Sequence, residues 1–96
     1  MNYLEIIANR IRRHAPTNGM TNRDDAHLFL IYAAVLLAKG ESVTAEDVHN
    51  AWVAWMTPLD PSHDSLMPFA DLAPQAKDED GPFVEALRAT AQELGL

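Results

Sequence analysis

Along this chain, stretches whose apolar residues recur every three or four positions alternate with polar connections rich in proline, glycine, asparagine and threonine. From Tyr3 to His14, Leu4, Ile7, Ala8 and Ile11 share one stripe at about 100° per residue, while Arg10, Arg12 and Arg13 take the flanks and far side. This predicts an amphipathic helix over 3–14. Tyr3 and Ile6 lie off the stripe, and burial against a second neighbour is expected for them in preference to an exposed patch. Pro16, Asn18-Gly19 and Thr21-Asn22 then mark a connection. Thr21 or Asn22 is suited to cap the next helix, with Asp24 and Asp25 at the positive end of its dipole.

Leu28 to Ala38 carries no charge over eleven residues, and its one side-chain polar atom is the Tyr32 hydroxyl. A helix that is apolar all round is the centre of a bundle or a membrane span. A span needs roughly 20 apolar residues, and this run is bracketed by Arg23-Asp24-Asp25 and Lys39-Gly40-Glu41. The expectation is a central helix over 22–39, buried on all sides, with no membrane insertion. Gly40 suits a left-handed stop.

Val43-Thr44-Ala45-Glu46-Asp47-Val48 reads as a helix start, with Thr44 as N-cap and Val43 and Val48 as a hydrophobic staple. The third helix runs over 45–56 and ends before Pro58. Val48, Ala51, Trp52 and Trp55 form its stripe, with His49 and Met56 on the shoulder. Residues 57–81 hold Pro58, Pro61, Pro68 and Pro74 but keep Leu59, Leu66, Met67, Phe69 and Leu72. A disordered linker would lack that apolar content. An ordered loop over the bundle is predicted, with short helical turns near Phe69–Leu72 and Pro74–Asp78, and with Asp78-Glu79-Asp80 as a solvated run. Pro82 at the first helical position opens a last helix over 82–94, whose inner face is Phe83, Val84, Leu87, Thr90, Ala91 and Leu94, and Gly95 closes it. No segment alternates as a strand. The fold class is all-α, a compact bundle of about four helices with a proline-rich loop, in one domain over 1–96.

Composition narrows the setting. A 96-residue chain, 48% hydrophobic, hides roughly two-thirds of its unfolded surface on folding. The absence of cysteine removes disulfide frameworks, thiolate nucleophiles and thiolate zinc sites, and fits a reducing compartment. With no secretory signal at the N-terminus, a cytoplasmic location is expected. The net charge of −7 is polarised: residues 1–40 hold five basic and three acidic side chains, residues 41–96 two basic and eleven acidic. Such a surface disfavours nucleic acid, whose binding demands phosphate neutralisation; an acidic solvated surface on an ordinary soluble domain explains the same numbers in preference to steering toward a basic partner.

Catalytic signatures are missing: no phosphate-binding glycine loop, no His-Glu-x-x-His, no serine in a nucleophile elbow. His14, His27, His49 and His63 lie on separate segments without helical ligand spacing, and Asp24, Asp25 and His27 want a further ligand. Neither metal nor cofactor is expected, and the chain reads as a non-enzyme.

The run Glu46-Asp47-Val48-His49-Asn50-Ala51-Trp52 is similar to the Glu/Ala-x-x-His-x-x-Trp helix of the ryanodine-receptor repeat domain. His63-x-x-Leu66-x-x-Phe69-x-x-Leu72, followed by Gln75 and Lys77-Asp78, resembles that family's later segment. The similarity covers residues 43–96 and lacks the family's Gly-Trp-x-Tyr-Gly segment, since only Met56 to Ser62 separate the two matches. It implies a helical interaction or ligand-binding module with no catalytic residues. It also implies that His49 and Trp52 face the segment bearing His63 and Phe69. His49, Trp52, Trp55, His63 and Phe69 are therefore the candidate binding residues of one cleft; alternatively, Trp52 and Phe69 are core and the histidines cap loops. Size, acidity and alanine-rich style resemble small proteins of actinobacterial phages. The leading functional expectation is a protein-interaction module acting on a bacterial host factor. A nucleotide-like ligand module and a homodimer formed through the first helix are the alternatives.

Overall fold

The computed structural model describes residues 2–16 and 25–96. Four long helices and one short one carry these residues: α1 (Tyr3–His14), α2 (Asp25–Lys39), α3 (Ala45–Met56), α4 (Pro74–Asp78) and α5 (Gly81–Leu94). Two 3-10 turns, Gly40–Ser42 and Phe69–Asp71, join them, and no strand occurs among the described residues. The protein is an all-α bundle. No helix among the described residues is long and apolar enough to cross a membrane.

Local chemistry accounts for the helix ends. At α1, the Glu5 N–H donates to Asn2 Oδ1 (2.9 Å) and the Asn2 N–H to Glu5 Oε1 (3.0 Å), a reciprocal cap. At α3, the Thr44 N–H donates to Asp47 Oδ2 (2.9 Å) and the Asp47 N–H to Thr44 Oγ1 (3.3 Å). Val43 and Val48, the staple pair, are both fully buried. Gly95 ends α5 with φ +70°, the left-handed conformation the sequence expects. The proposed caps Thr21 and Asn22, and the first residues of the 22–39 helix, lie outside the described residues.

One core joins the helices: Ile7 and Ile11 from α1, Leu28, Phe29, Tyr32 and Leu36 from α2, Val48 and Trp55 from α3, and Val84, Leu87 and Ala91 from α5. Helix α1 packs on α2 and α5, and α3 lies on α2. Polar clamps fix these pairs. Arg12 donates to both carboxylate oxygens of Asp25 (3.0 and 3.1 Å), and its guanidinium lies 4.3 Å from the centre of the Phe29 ring. Glu93 of α5 pairs with Arg10 and His14 of α1, and those hydrogen bonds, His14's foremost, hold its carboxyl below the usual glutamate range. Arg88 donates through Nε and Nη2 to the Val43 carbonyl, tying α5 to the α2–α3 connection.

Two expectations fail. Helix α2 is not buried on all sides: Leu37 is 42% exposed, Ala34 and Ala38 are exposed, and Leu30, Ile31 and Val35 are half-buried. The neighbouring helices cover one arc of α2 and leave its Leu37 side open. Tyr3 and Ile6 are 66% and 48% exposed, because both neighbours of α1 meet its Ile7–Ile11 stripe and neither reaches them.

Gly40 has φ +57°, and a Cβ there would stand 3.3 Å from the Leu96 backbone; at Gly95 a Cβ meets nothing within 4 Å. A non-glycine residue in this conformation costs about 1–2 kcal/mol. Gly95→Ala should therefore lose about 1 kcal/mol in urea unfolding, and Gly40→Ala about 2 kcal/mol, part of it recovered on deleting Leu96. Equal losses at the two positions would show that the approach of Leu96 has no energetic consequence.

Candidate functional site

Past Met56 the chain turns back over α3. Asp60 accepts backbone bonds into a turn, and the Leu66 N–H donates to the His63 carbonyl (3.2 Å). His49, only 4% exposed, holds this segment in place: its Nε2 donates to the Met67 carbonyl at 2.7 Å. A carbonyl can only accept, so the hydrogen sits on Nε2. His63 is fixed the opposite way, its Nδ1 accepting the Ser65 N–H at 3.0 Å. Trp52 lies between the two imidazoles, stacked on His49 (centroids 5.8 Å, planes 23° apart) and edge-on to His63 (5.0 Å, 79°).

This folded-back segment encloses, with α2, α3 and the start of α5, a cavity of about 390 Å³. Its buried wall is Leu28, Tyr32, His49, Trp55 and Leu72, and its more open side is Trp52, His63, Ser65, Ala76, Glu79, Asp80 and Phe83. Four of the five residues singled out in the sequence, His49, Trp52, Trp55 and His63, line it. Phe69 does not; it backs His49 from outside at 6.1 Å, with the Lys77 ammonium 5.5 Å from its ring centre. Trp55 is buried and Trp52 half-buried, and both histidines bond the loop backbone.

The cavity also contains residues the sequence reading assigned elsewhere. Asp80 flanks the start of α5 in helical backbone geometry (φ −80°, ψ −18°), and its side chain caps nothing. Its Oδ2 is closed off from solvent and has no hydrogen-bond partner among the described residues. Burial pushes its carboxyl above the ordinary aspartate range; His49 opposes the shift and Glu79 adds to it. The sequence places Asp80 in a solvated run, because a cluster of three acids before Gly-Pro ordinarily is one. Tyr32 had a readable signal, since a lone hydroxyl in an apolar helix calls for a partner or a cavity. Burial first, then the charge of Asp80, hold its phenol well above the usual tyrosine range, so it stays a neutral donor. Asp25, expected only as a dipole partner, lines the cavity with its charge already matched by Arg12. No group of three His, Asp or Glu side chains able to hold a metal ion occurs among the described residues.

A family model described as a domain of unknown function, DUF7701, matches residues 2–92. The chain belongs to that family. No curated protein and no solved structure matches the chain. The DUF7701 match runs from α1 into α5 and no ryanodine-receptor-repeat family is found, which overturns the resemblance drawn over residues 43–96. The residues behind it have local structural work here: Thr44 and Asp47 cap α3, His49 bonds the loop, and Trp52 packs between two imidazoles. Any helix carrying such a folded-back loop can use the same few residue types. The likeness to phage proteins has no support in the family match either.

The state of Asp80 sets a pH dependence in this DUF7701 domain. Because its carboxyl is raised in the folded state, the folded chain binds that proton more tightly than the unfolded chain. Stability is therefore lost as pH rises from the ordinary aspartate pKa, about 4, through the higher folded value. Asp80→Asn should stabilise the protein at pH 7, with the difference vanishing toward about pH 4, as read by urea unfolding across that range. A variant less stable than the parent at pH 7 would mean that the carboxylate has a favourable partner.

Proposed function

We propose that this DUF7701 domain is a non-catalytic recognition module, holding a small ligand, or one side chain of a larger one, in the cavity between α2, α3, α5 and the proline-rich segment. The cavity itself carries the reading. Its volume of about 390 Å³ falls in the range of small-molecule sites, roughly 300–1,000 Å³, and its walls combine large rings with a few polar groups. Binding is favoured over acid–base chemistry by the imidazoles: Nε2 of His49 and Nδ1 of His63 are both engaged by loop backbone. The test is a fragment screen of the full chain, with neutral, anionic and cationic members, read by the two tryptophan indole N–H resonances. Fragments that bind should shift Trp52 and Trp55 together. A screen in which no fragment moves either resonance contradicts the reading.

A second reading, interaction with another protein, is favoured by a different observation. The uncovered flank of α2 and the adjoining face of α3 form a shallow apolar groove of about 270 Å³, lined by Ile31, Val35, Ala38, Ala51 and Ala54, with Lys39, Asp47 and Asn50 at its polar margin. Leu37 stands exposed on α2, and Tyr3 and Ile6 supply an apolar pair on α1. The partner would be a bacterial protein or a second copy of the chain, with the acidic second half disfavouring nucleic acid. If copies associate through α2, light scattering should show a mass that rises with concentration and falls to the monomer in Leu37→Asp. An unchanging monomer mass for the parent would exclude self-association.

A further inference from the structure

We infer that the ligand of the cavity carries a positive charge on an organic group, an alkylammonium or a guanidinium; this rests on reading the cavity as a binding site. Tyr32, Trp52, Trp55 and Phe83 present four aromatic side chains to one space, beside the carboxylates of Asp25, Glu79 and Asp80. No lysine or arginine is among the described lining residues. Arg12 neutralises Asp25 from outside, leaving Glu79 and Asp80 as charges for a ligand to match. An aromatic face attracts a cation through its quadrupole, and desolvation strengthens the attraction. Carboxylates at the same site add a Coulombic term of the same sign, whereas a phosphate or carboxylate ligand would meet repulsion from both.

The neighbouring structure shows the same preference. Phe29 carries the Arg12 guanidinium and Phe69 the Lys77 ammonium, so two rings outside the lining already hold cations of both types. Asp80 gives the preference an energetic basis. A carboxylate with one oxygen sealed and, among the described residues, unpaired is costly to leave alone, and a cation in the adjoining space offsets that cost without having to reach Oδ2. The charge distribution delivers the ligand: residues 41–96, which supply α3, the loop and α5, carry eleven acidic side chains against two basic. A bare metal ion fits poorly, since the described residues offer no group of three ligating side chains. A nucleotide-like ligand fits poorly, since no lysine or arginine is among the described lining residues to meet its phosphates. A free amine or guanidine and a lysine or arginine side chain of a peptide share this chemistry.

The test compares cations with neutral molecules of the same shape on the full chain, by titration calorimetry and the tryptophan indole resonances. Choline is paired with 3,3-dimethyl-1-butanol and arginine with citrulline; capped Gly-Lys-Gly and Gly-Arg-Gly peptides form the second arm. At least one cation should bind about tenfold more tightly than its neutral counterpart. Asp80→Asn and Glu79→Gln, each checked for unchanged helical content, should weaken the cation and leave the neutral molecule alone. Tighter binding of the peptides would identify a lysine or arginine side chain as the natural ligand, and tighter binding of the free compounds a small amine or guanidine. Equal binding of the neutral molecules, or a preference for anionic fragments, overturns the charge inference while leaving the cavity a binding site. Silence from every probe of any charge overturns both.

Discussion

The hydrogen bond from His49 Nε2 to the Met67 carbonyl is the constraint on which the site depends. A segment with four prolines in twenty-five residues cannot secure itself by a regular ladder, and residues 57–73 make mainly short turn bonds. It is held instead by side chains reaching from α3. The bond is part-buried, closed at its His49 end, so losing the imidazole would release the loop at a cost of roughly 0.5–1.5 kcal/mol. Trp52 extends the same contact, stacking on His49 and meeting His63 edge-on, while Phe69 closes the far side of His49. Helix, loop and ring positions are thereby set together, and the space left between them is the cavity.

The bundle beneath supplies rigidity at the right points. Arg12 grips Asp25 and Phe29 in the first turns of α2, where Asp25 and Leu28 enter the cavity wall. Arg88 fixes the connection that precedes α3, and the Thr44–Asp47 cap fixes the start of α3 itself. Against this background Asp80 stands out, a carboxylate placed where burial disfavours its charge and whose Oδ2 finds no hydrogen-bond partner among the described residues. Local choices that cost stability amid otherwise consistent packing concentrate at functional positions. The aromatic lining and Asp80 occupy one space, and in the proposed reading a cationic ligand there offsets that cost.

Much of the fold could be read from the sequence. The stripe Leu4–Ile7–Ala8–Ile11 gave α1, the staple and cap around Thr44 gave α3, and the Pro82 and Gly95 pair bounded α5 to within a residue. Burial was less readable. Leu28 to Ala38 is apolar on every face, and periodicity carries no information when all faces are alike; only packing shows that the Leu37 side remains uncovered. The lining of the candidate cavity was partly visible, since His49, Trp52, Trp55 and His63 share it. Its charge was hidden because Asp80 belongs to a run that looks like ordinary solvated surface. Tyr32 and Phe83 entered as core residues, and only the tertiary arrangement turns their rings toward open space. Family likeness misled for a related reason: short capping and packing patterns recur wherever the same local problem is solved.

The central claim is that the loop is an ordered wall of a preformed cavity, held there by His49. Residue-resolved amide hydrogen exchange of the full chain tests it most directly, at Ser65, whose N–H donates to His63 Nδ1, and at Leu72, whose N–H donates to the Phe69 carbonyl. In the parent protein these amides should exchange far more slowly than free-chain rates, and in His49→Ala they should lose that protection while α1 and α2 keep theirs. Free-chain exchange at both positions in the parent, with the helices protected, would contradict the account.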